Sequence, residues 1–308
     1  MMRKRVKGYY IPGIKVCQTC ANVVNRVGDE FLRPPLVTIE CSRYDQFQYF
    51  SNEDVYAMAD HIAHIHSTGT NAELEKKQTE YGVKYVEQGI LFCNHARGLY
   101  RPIDHCIRDW MHIFTGGGVA NVELGMIFNL CVHYGISLDI IQSFALGFTL
   151  PHKYGKVQKN WITTKRLHDD RLVSFSSVIL CLVPIIRVFL DDVVKPLGIM
   201  IDQALCFTML NDIIGLLSLG PEQSMRHVSR LKQLIQLHGE LFTSLYPGAV
   251  IPKFHHAFHI PENMMCVGKL LSCFVTERKR RISKSAAHRS RAHRSRRLYQ
   301  SHVRSYHR

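Results

Sequence analysis

Along most of this chain the apolar residues recur three and four positions apart, the spacing of one helix face. In SNEDVYAMADHIAHIH, residues 51–66, Val55, Met58, Ala59 and Ile62 line such a face. Ser51 or Asn52 is positioned to cap this helix, and acids fill its first turn. NAELEKKQTEYG predicts a second, polar helix closed by Gly82. GGGVANVELGMIFNLCVHYGI opens on three glycines and carries the period to about Tyr134, and SLDIIQSFALGF follows with its own serine cap and stops before Pro151. Three longer apolar-periodic stretches run from about Asp169 to Leu190, Ile199 to Leu219 and Glu222 to Tyr246, punctuated by Pro196-Leu-Gly and Gly220-Pro221. No convincing run of alternating strand positions and no repeat of fixed period breaks this pattern. The expectation is a mainly α protein.

Composition agrees with a globular body and adds an asymmetry. The 308 residues are 46% hydrophobic and 21% charged, ordinary values for a packed domain. The formal net charge of +14 is concentrated at one end. Residues 1–277 hold 27 basic and 25 acidic side chains, whereas everything after Glu277 carries twelve Lys and Arg and no acid. This divides the chain into an irregular segment at 1–50 containing a CxxC, a helical domain at 51–282, and a basic tail at 283–308. The tail has too few large aliphatic residues to pack alone and is expected to stay disordered.

The basic N-terminus has no apolar run behind it, so no secretory signal is expected. VSFSSVILCLVPIIRVFL is too short and too interrupted to span a bilayer. No membrane partner is therefore expected, and the ten cysteines read as core thiols or metal ligands in a reducing, intracellular compartment.

Four places carry candidate chemistry. Cys17-x-x-Cys20 offers two thiols at the spacing of adjacent zinc corners, although two ordinary core thiols fit as well. PKFHHAFH brings together His255, His256 and His259; on a helix, His255 and His259 (i, i+4) or His256 and His259 (i, i+3) share a side. Core histidines bonded to backbone are the plain alternative. The two clusters combined make a Cys2His2 set, a closed structural geometry. In DHCIRDWMH, Asp109 and His112 stand i, i+3, which suits either a second polar site or an N-capping aspartate at a helix start. Finally, Glu277 sits among Arg278, Lys279, Arg280 and Arg281; it is either a solvated acid or a Mg²⁺ ligand beside a phosphate-binding surface.

Taken in order, Cys17-x-x-Cys20, FHHAFHIPEN, a glycine and SCFVTERKRR resemble the catalytic core of CACTA-type (En/Spm) cut-and-paste transposases, a layout shared with the V(D)J recombinase catalytic subunit. SNEDVYAMADHI and IRDWMHIFTGGGVANVE look like further stretches of plant members. The resemblance implies zinc held by Cys17, Cys20, His255 or His256, and His259. It also implies Glu277 as the last member of an Asp-Asp-Glu set, and a family role for Asp109 and His112. The implied fold is the helical insertion-type domain of an RNase H-like transposase, truncated at its N-terminal strands.

In that family both catalytic aspartates precede the CxxC. The sixteen residues before Cys17 contain no Asp or Glu, and one glutamate cannot hold two metal ions against a substrate. The expectation is therefore a nuclear, transposase-derived DNA-binding protein with structural zinc that does not cleave DNA, Mg²⁺ entering only if the missing aspartates are supplied. Arg278, Lys279, Arg280, Arg281, Lys284, Arg289, Arg291, Arg294, Arg296 and Arg297 would contact nucleic acid without base specificity, and homo-oligomers are compatible with the family. The competing reading is a non-enzymatic α-helical interaction protein with a basic, nucleic-acid-binding tail; a free-standing metallohydrolase is weaker, for want of a carboxylate pair.

Overall fold

The computed structural model describes residues 17–23, 26–27, 30–31, 42–149, 157, 159–163, 165–168 and 170–273. The chain divides into two compact units, Met1–Leu271 and Ser272–Arg308. Glu277 and all the basic residues assigned to the tail lie outside the described residues.

The first unit is mainly helical. α1 (Asn52–Thr68) begins in a capping box: the Ser51 hydroxyl accepts from the Asp54 amide while Asp54 reaches back to Ser51. Its buried stripe is Val55, Ala59 and Ile62. α2 (Asn71–Tyr81) has the same device at Thr70 and Glu73, and ends on Gly82 in the left-handed region. α3 (Trp110–Phe114) is a short turn of helix that buries Trp110, Met111, Ile113 and Phe114.

α4 (Val119–His133) is the central helix. Val119 to Gly125, Ile127, Phe128 and Cys131 are all buried, because it is packed on more than one side. A hairpin of β3 (Leu167–His168) and β4 (Arg171–Leu172) lies against it. Asn121 Nδ2 donates to the Leu172 carbonyl at 2.8 Å, and Asn129 Nδ2 donates to Asp170 Oδ1 at 2.5 Å. Gly125 makes this approach sterically feasible: a Cβ there would sit 2.3 Å from the Asp170 carbonyl oxygen. A second, two-residue hairpin pairs β1 (Arg26–Val27) with β2 (Glu30–Phe31).

α5 (Leu138–Leu146) and α6 (Ser176–Phe189) follow, α6 accommodating Pro184 in its interior before a π-helical turn at Leu190–Val194. α7 (Ile201–Ser218) and α9 (Val228–Leu245) pack most extensively on each other among the described helices, with the short α8 (Pro221–Met225) between them in the chain. Among the described residues α7 is the one helix long and apolar enough to cross a bilayer; it turns Ala204, Cys206, Phe207, Leu210, Ile213, Ile214 and Leu217 into the protein core. α10 (Pro252–Phe258) packs on α3 and α9, and α11 (Ile260–Val267) on α9.

The mainly α expectation therefore holds. The periodic stretch from Asp169 differs in detail: Arg171 and Leu172 form β4, and helix begins only at Ser176. Asp170, at φ 56°, takes the turn conformation that a short aspartate tolerates. The stretch from Glu222 is two helices, broken at Arg226 and His227.

Candidate metal centre

The sequence around His259 builds a continuous ligand face. Pro252 starts α10 at a position that needs no amide donor. His259 caps that helix in the right-handed region (φ −84°, ψ −8°) and leads directly into α11. The helical path is thus kept through the junction, and His255 and His259, four apart, face the same way. His256 is rotated by one residue to another side of α10. It lines a neighbouring cleft of about 540 Å³ together with Cys17, Met58, Tyr100, Ile103 and Arg108. Of the two alternatives at this position, His255 joins the cluster and His256 does not.

The two thiols come from a knuckle held against residues 46–50. Cys20 bridges Tyr49, Ala21 N donates to Gln48 O at 2.7 Å, and Phe50 N donates to Thr19 O at 2.9 Å. Asn22 Nδ2 adds a bond to Gln46 O at 2.8 Å. Within the knuckle the Thr19 amide donates to Cys17 Sγ at 3.3 Å.

These two segments meet across more than 230 positions. His259 Nε2 lies 3.4 Å from Cys17 Sγ, 3.3 Å from Cys20 Sγ and 3.0 Å from His255 Nε2. One donor atom from each residue falls within 4.8 Å of all the others. The four residues are buried, at 2%, 0%, 0% and 1% exposure for Cys17, Cys20, His255 and His259, so bulk water does not fill the gap between them.

Direct hydrogen bonding does not account for this convergence. Glu262 Oε2 stands 3.0 Å from His259 Nδ1, and a carboxylate only accepts, so Nδ1 carries the proton. In the neutral ring Nε2 then has a single lone pair, yet three heavy atoms crowd it. A divalent ion at the centre resolves this. A tetrahedral ion with bonds of about 2.3 Å to sulfur and about 2.0 Å to nitrogen has S···N edges near 3.5 Å and an N···N edge near 3.3 Å. The observed separations lie within a few tenths of an ångström of these. The four residues fit a metal ion, and four protein ligands leave it no open position.

Neighbouring groups orient the ligands and balance charge. Arg108 Nη2 donates to Cys17 Sγ at 2.9 Å and to Thr19 Oγ1 at 2.7 Å. Its backbone is pinned by Asn263 Oδ1, which accepts from the Arg108 amide at 3.0 Å. Glu262 receives the Tyr49 hydroxyl at 2.7 Å in addition to His259. A divalent ion with two thiolates is neutral, and Arg108 and Glu262 add one charge of each sign. Phe47 packs its edge on His255 at 5.0 Å between ring centres and also flanks His259, keeping the site dry.

The electrostatics of the bare ligands point the same way. Cys20 hydrogen-bonds to Cys17 and holds the Cys17 thiol far below its usual range against the effect of burial, with His255, His259 and Arg108 assisting. Cys20 keeps the shared proton and is raised. Burial disfavours charge on His259, but the Cys17 thiolate and Glu262 outweigh it and raise that imidazole.

Arg108, Glu262, Tyr49 and Asn263 were not singled out by the sequence reading. The i, i+3 spacing of His259 and Glu262 is the one signal that could have found any of them; the others are brought in by tertiary contact. Asp109 caps α3: its Oδ2 accepts from the His112 amide at 3.1 Å and also pairs with His112 Nδ1. Comparison with protein-family models, curated proteins and solved structures finds no match for this chain.

Proposed function

We propose that this chain is a transposase-derived, DNA-binding protein whose helical domain, of the kind inserted in RNase H-like transposases, is closed by structural zinc, and that the polypeptide does not itself cleave DNA. The observation that carries the reading is the convergence of Cys17 and Cys20 with His255 and His259 across the length of the domain. A CxxC meeting a histidine pair with this order and separation is the arrangement that the transposase resemblance requires. Zinc suits the sulfur and nitrogen donors, and it would supply a cross-link rather than a reactive water.

Affinity for DNA rests on the sequence. The run from Arg278 to Arg297, with no acid in it, neutralises phosphates and releases counterions without reading bases. Glu277 would be the last carboxylate of the ancestral set. In-line displacement with two metal ions needs more than one carboxylate, so Glu277 alone would not carry it.

Three measurements on the purified full chain test this. Elemental analysis should lose one zinc equivalent in Cys17→Ser and one in His259→Ala, relative to the parent chain. Binding to duplex DNA should weaken steeply with salt, and replacing Arg289, Arg291 and Arg294 with alanine should flatten the log–log slope by about 3. Incubation of supercoiled DNA with Mg²⁺ or Mn²⁺ should leave it intact. Metal-dependent nicking would refute the inactive assignment, and a chain lacking zinc at these residues would favour the non-enzymatic interaction protein instead.

A further inference from the structure

A second polar cluster lies in the helical core, made of residues that the Cys17–His259 site does not use. α4 contains one acid, Glu123, and it is fully buried at 0% exposure. Facing it are Cys206 from α7, also at 0%, and His238 from α9, at 3%. His238 Nε2 lies 2.7 Å from Glu123 Oε2, and one donor atom from each of the three residues falls within 4.8 Å of the others. Cys206 faces the same carboxylate.

Two polar atoms here find no hydrogen-bond partner among the described residues: the second carboxylate oxygen, Glu123 Oε1, and the hydroxyl of Tyr246. Tyr246 is itself 4% exposed and feels both Glu123 and Cys206. A carboxylate removed from water with one of its oxygens unsatisfied is costly, and His238 and the Cys206 thiol on the other oxygen compensate only part of that.

We propose that Glu123, Cys206 and His238 form a second metal site, binding a borderline divalent ion of the zinc type in the centre of the α4–α7–α9 packing. The donor chemistry is complementary. One carboxylate and one thiolate cancel the charge of the ion, the imidazole ligates as the neutral ring, and Glu123 Oε1 acquires a partner. Three protein ligands leave the fourth position to a water or to the Tyr246 hydroxyl. The burial of all three residues makes this a site loaded as the helices pack, a structural staple for three elements that the Cys17–His259 centre does not join.

Elemental analysis of the full chain after folding with zinc tests the site. The expected stoichiometry is two ions in the parent chain and one in each of Cys206→Ala, Cys206→Ser and His238→Gln. Cys20→Ser should also retain one ion, from the opposite site. With Co²⁺ as the probe, the near-ultraviolet thiolate charge-transfer band should fall by about a third in Cys206→Ala, one of three ligating sulfurs being gone. A parent chain with no ion beyond the one lost in Cys20→Ser would overturn the proposal. So would parental stoichiometry in all three core variants. Loss of both ions in all three would also count against it, because an independent site leaves the other loaded. If the Cys17–His259 centre takes no metal, the parent carries one ion, which Cys206→Ala removes and Cys20→Ser keeps.

Discussion

Arg108 Nη2 donates to the sulfur of Cys17 at 2.9 Å. The interaction joins a loop in the middle of the chain to the knuckle near its start, and Asn263 on α11 fixes the same loop from the other side. Three remote segments are thereby aligned on one sulfur. A guanidinium beside a thiolate stabilises the deprotonated ligand and sets its direction.

Removing that support should weaken the metal without abolishing it. Arg108→Ala is expected to lower zinc affinity by about 10- to 100-fold, and Glu262→Gln, which weakens the hold on His259 Nδ1, by a similar factor. Competition against a chromophoric chelator measures both. Affinities equal to that of the parent chain would mean that these contacts follow the fold rather than tune the site.

The two adjacent histidines should separate cleanly. His255→Ala is expected to lose the ion from this centre, whereas His256→Ala should keep it, since His256 turns toward the cleft beside Met58 and Tyr100. Zinc analysis with far-ultraviolet circular dichroism reads both results. The opposite pattern would place the wrong imidazole in the cluster.

Chelation should be felt by the whole first unit. A structural ion of this type contributes on the order of 10 kcal/mol to folding, comparable to the entire stability of a domain. A strong chelator should lower the melting temperature substantially and broaden the transition. The same loss is expected on acidification. Two thiols and two imidazoles bind zinc only without their protons, so affinity falls as pH falls from about 8 to about 5.5. A melting temperature indifferent to both chelator and acid would exclude a structural ion.

Gly125 offers a test of the packing independent of any metal. In an unconstrained helix interior, Gly→Ala stabilises by up to about 1 kcal/mol. Here the new methyl would meet the backbone of Asp170 and Arg171 at 2.3 to 2.6 Å, so the hairpin must move. Gly125→Ala is expected to destabilise by about 1–3 kcal/mol in urea denaturation. Stabilisation would mean that the β3–β4 hairpin does not lie where described.

The helices were legible wherever local signals agreed. Ser51 with Asp54, Gly82, and Ser137 announce ends that the structure reproduces. The metal centre was partly legible because its chemistry is confined to four residue types, and the i, i+4 spacing of His255 and His259 survives the junction between α10 and α11. The β3–β4 hairpin was not, since two-residue strands carry no period and their partner is α4, far away in sequence. Arg108 and Tyr49 were hidden for the same reason: nothing local distinguishes them from other surface residues. Glu123 is the one acid of the apolar α4 and His238 one of many polar residues on the amphipathic α9, and only their 2.7 Å meeting across 115 positions makes them a pair.

An ion joining residue 17 to residue 259 would close the chain between them into a loop. A protease that cuts once in the exposed stretch near Leu99, 82% accessible, would leave two pieces still tethered at the clasp and by their shared core. They should travel together on a native gel and part only when the metal is stripped under denaturing conditions. Durability after such a nick is the property that an ion at this cluster would confer.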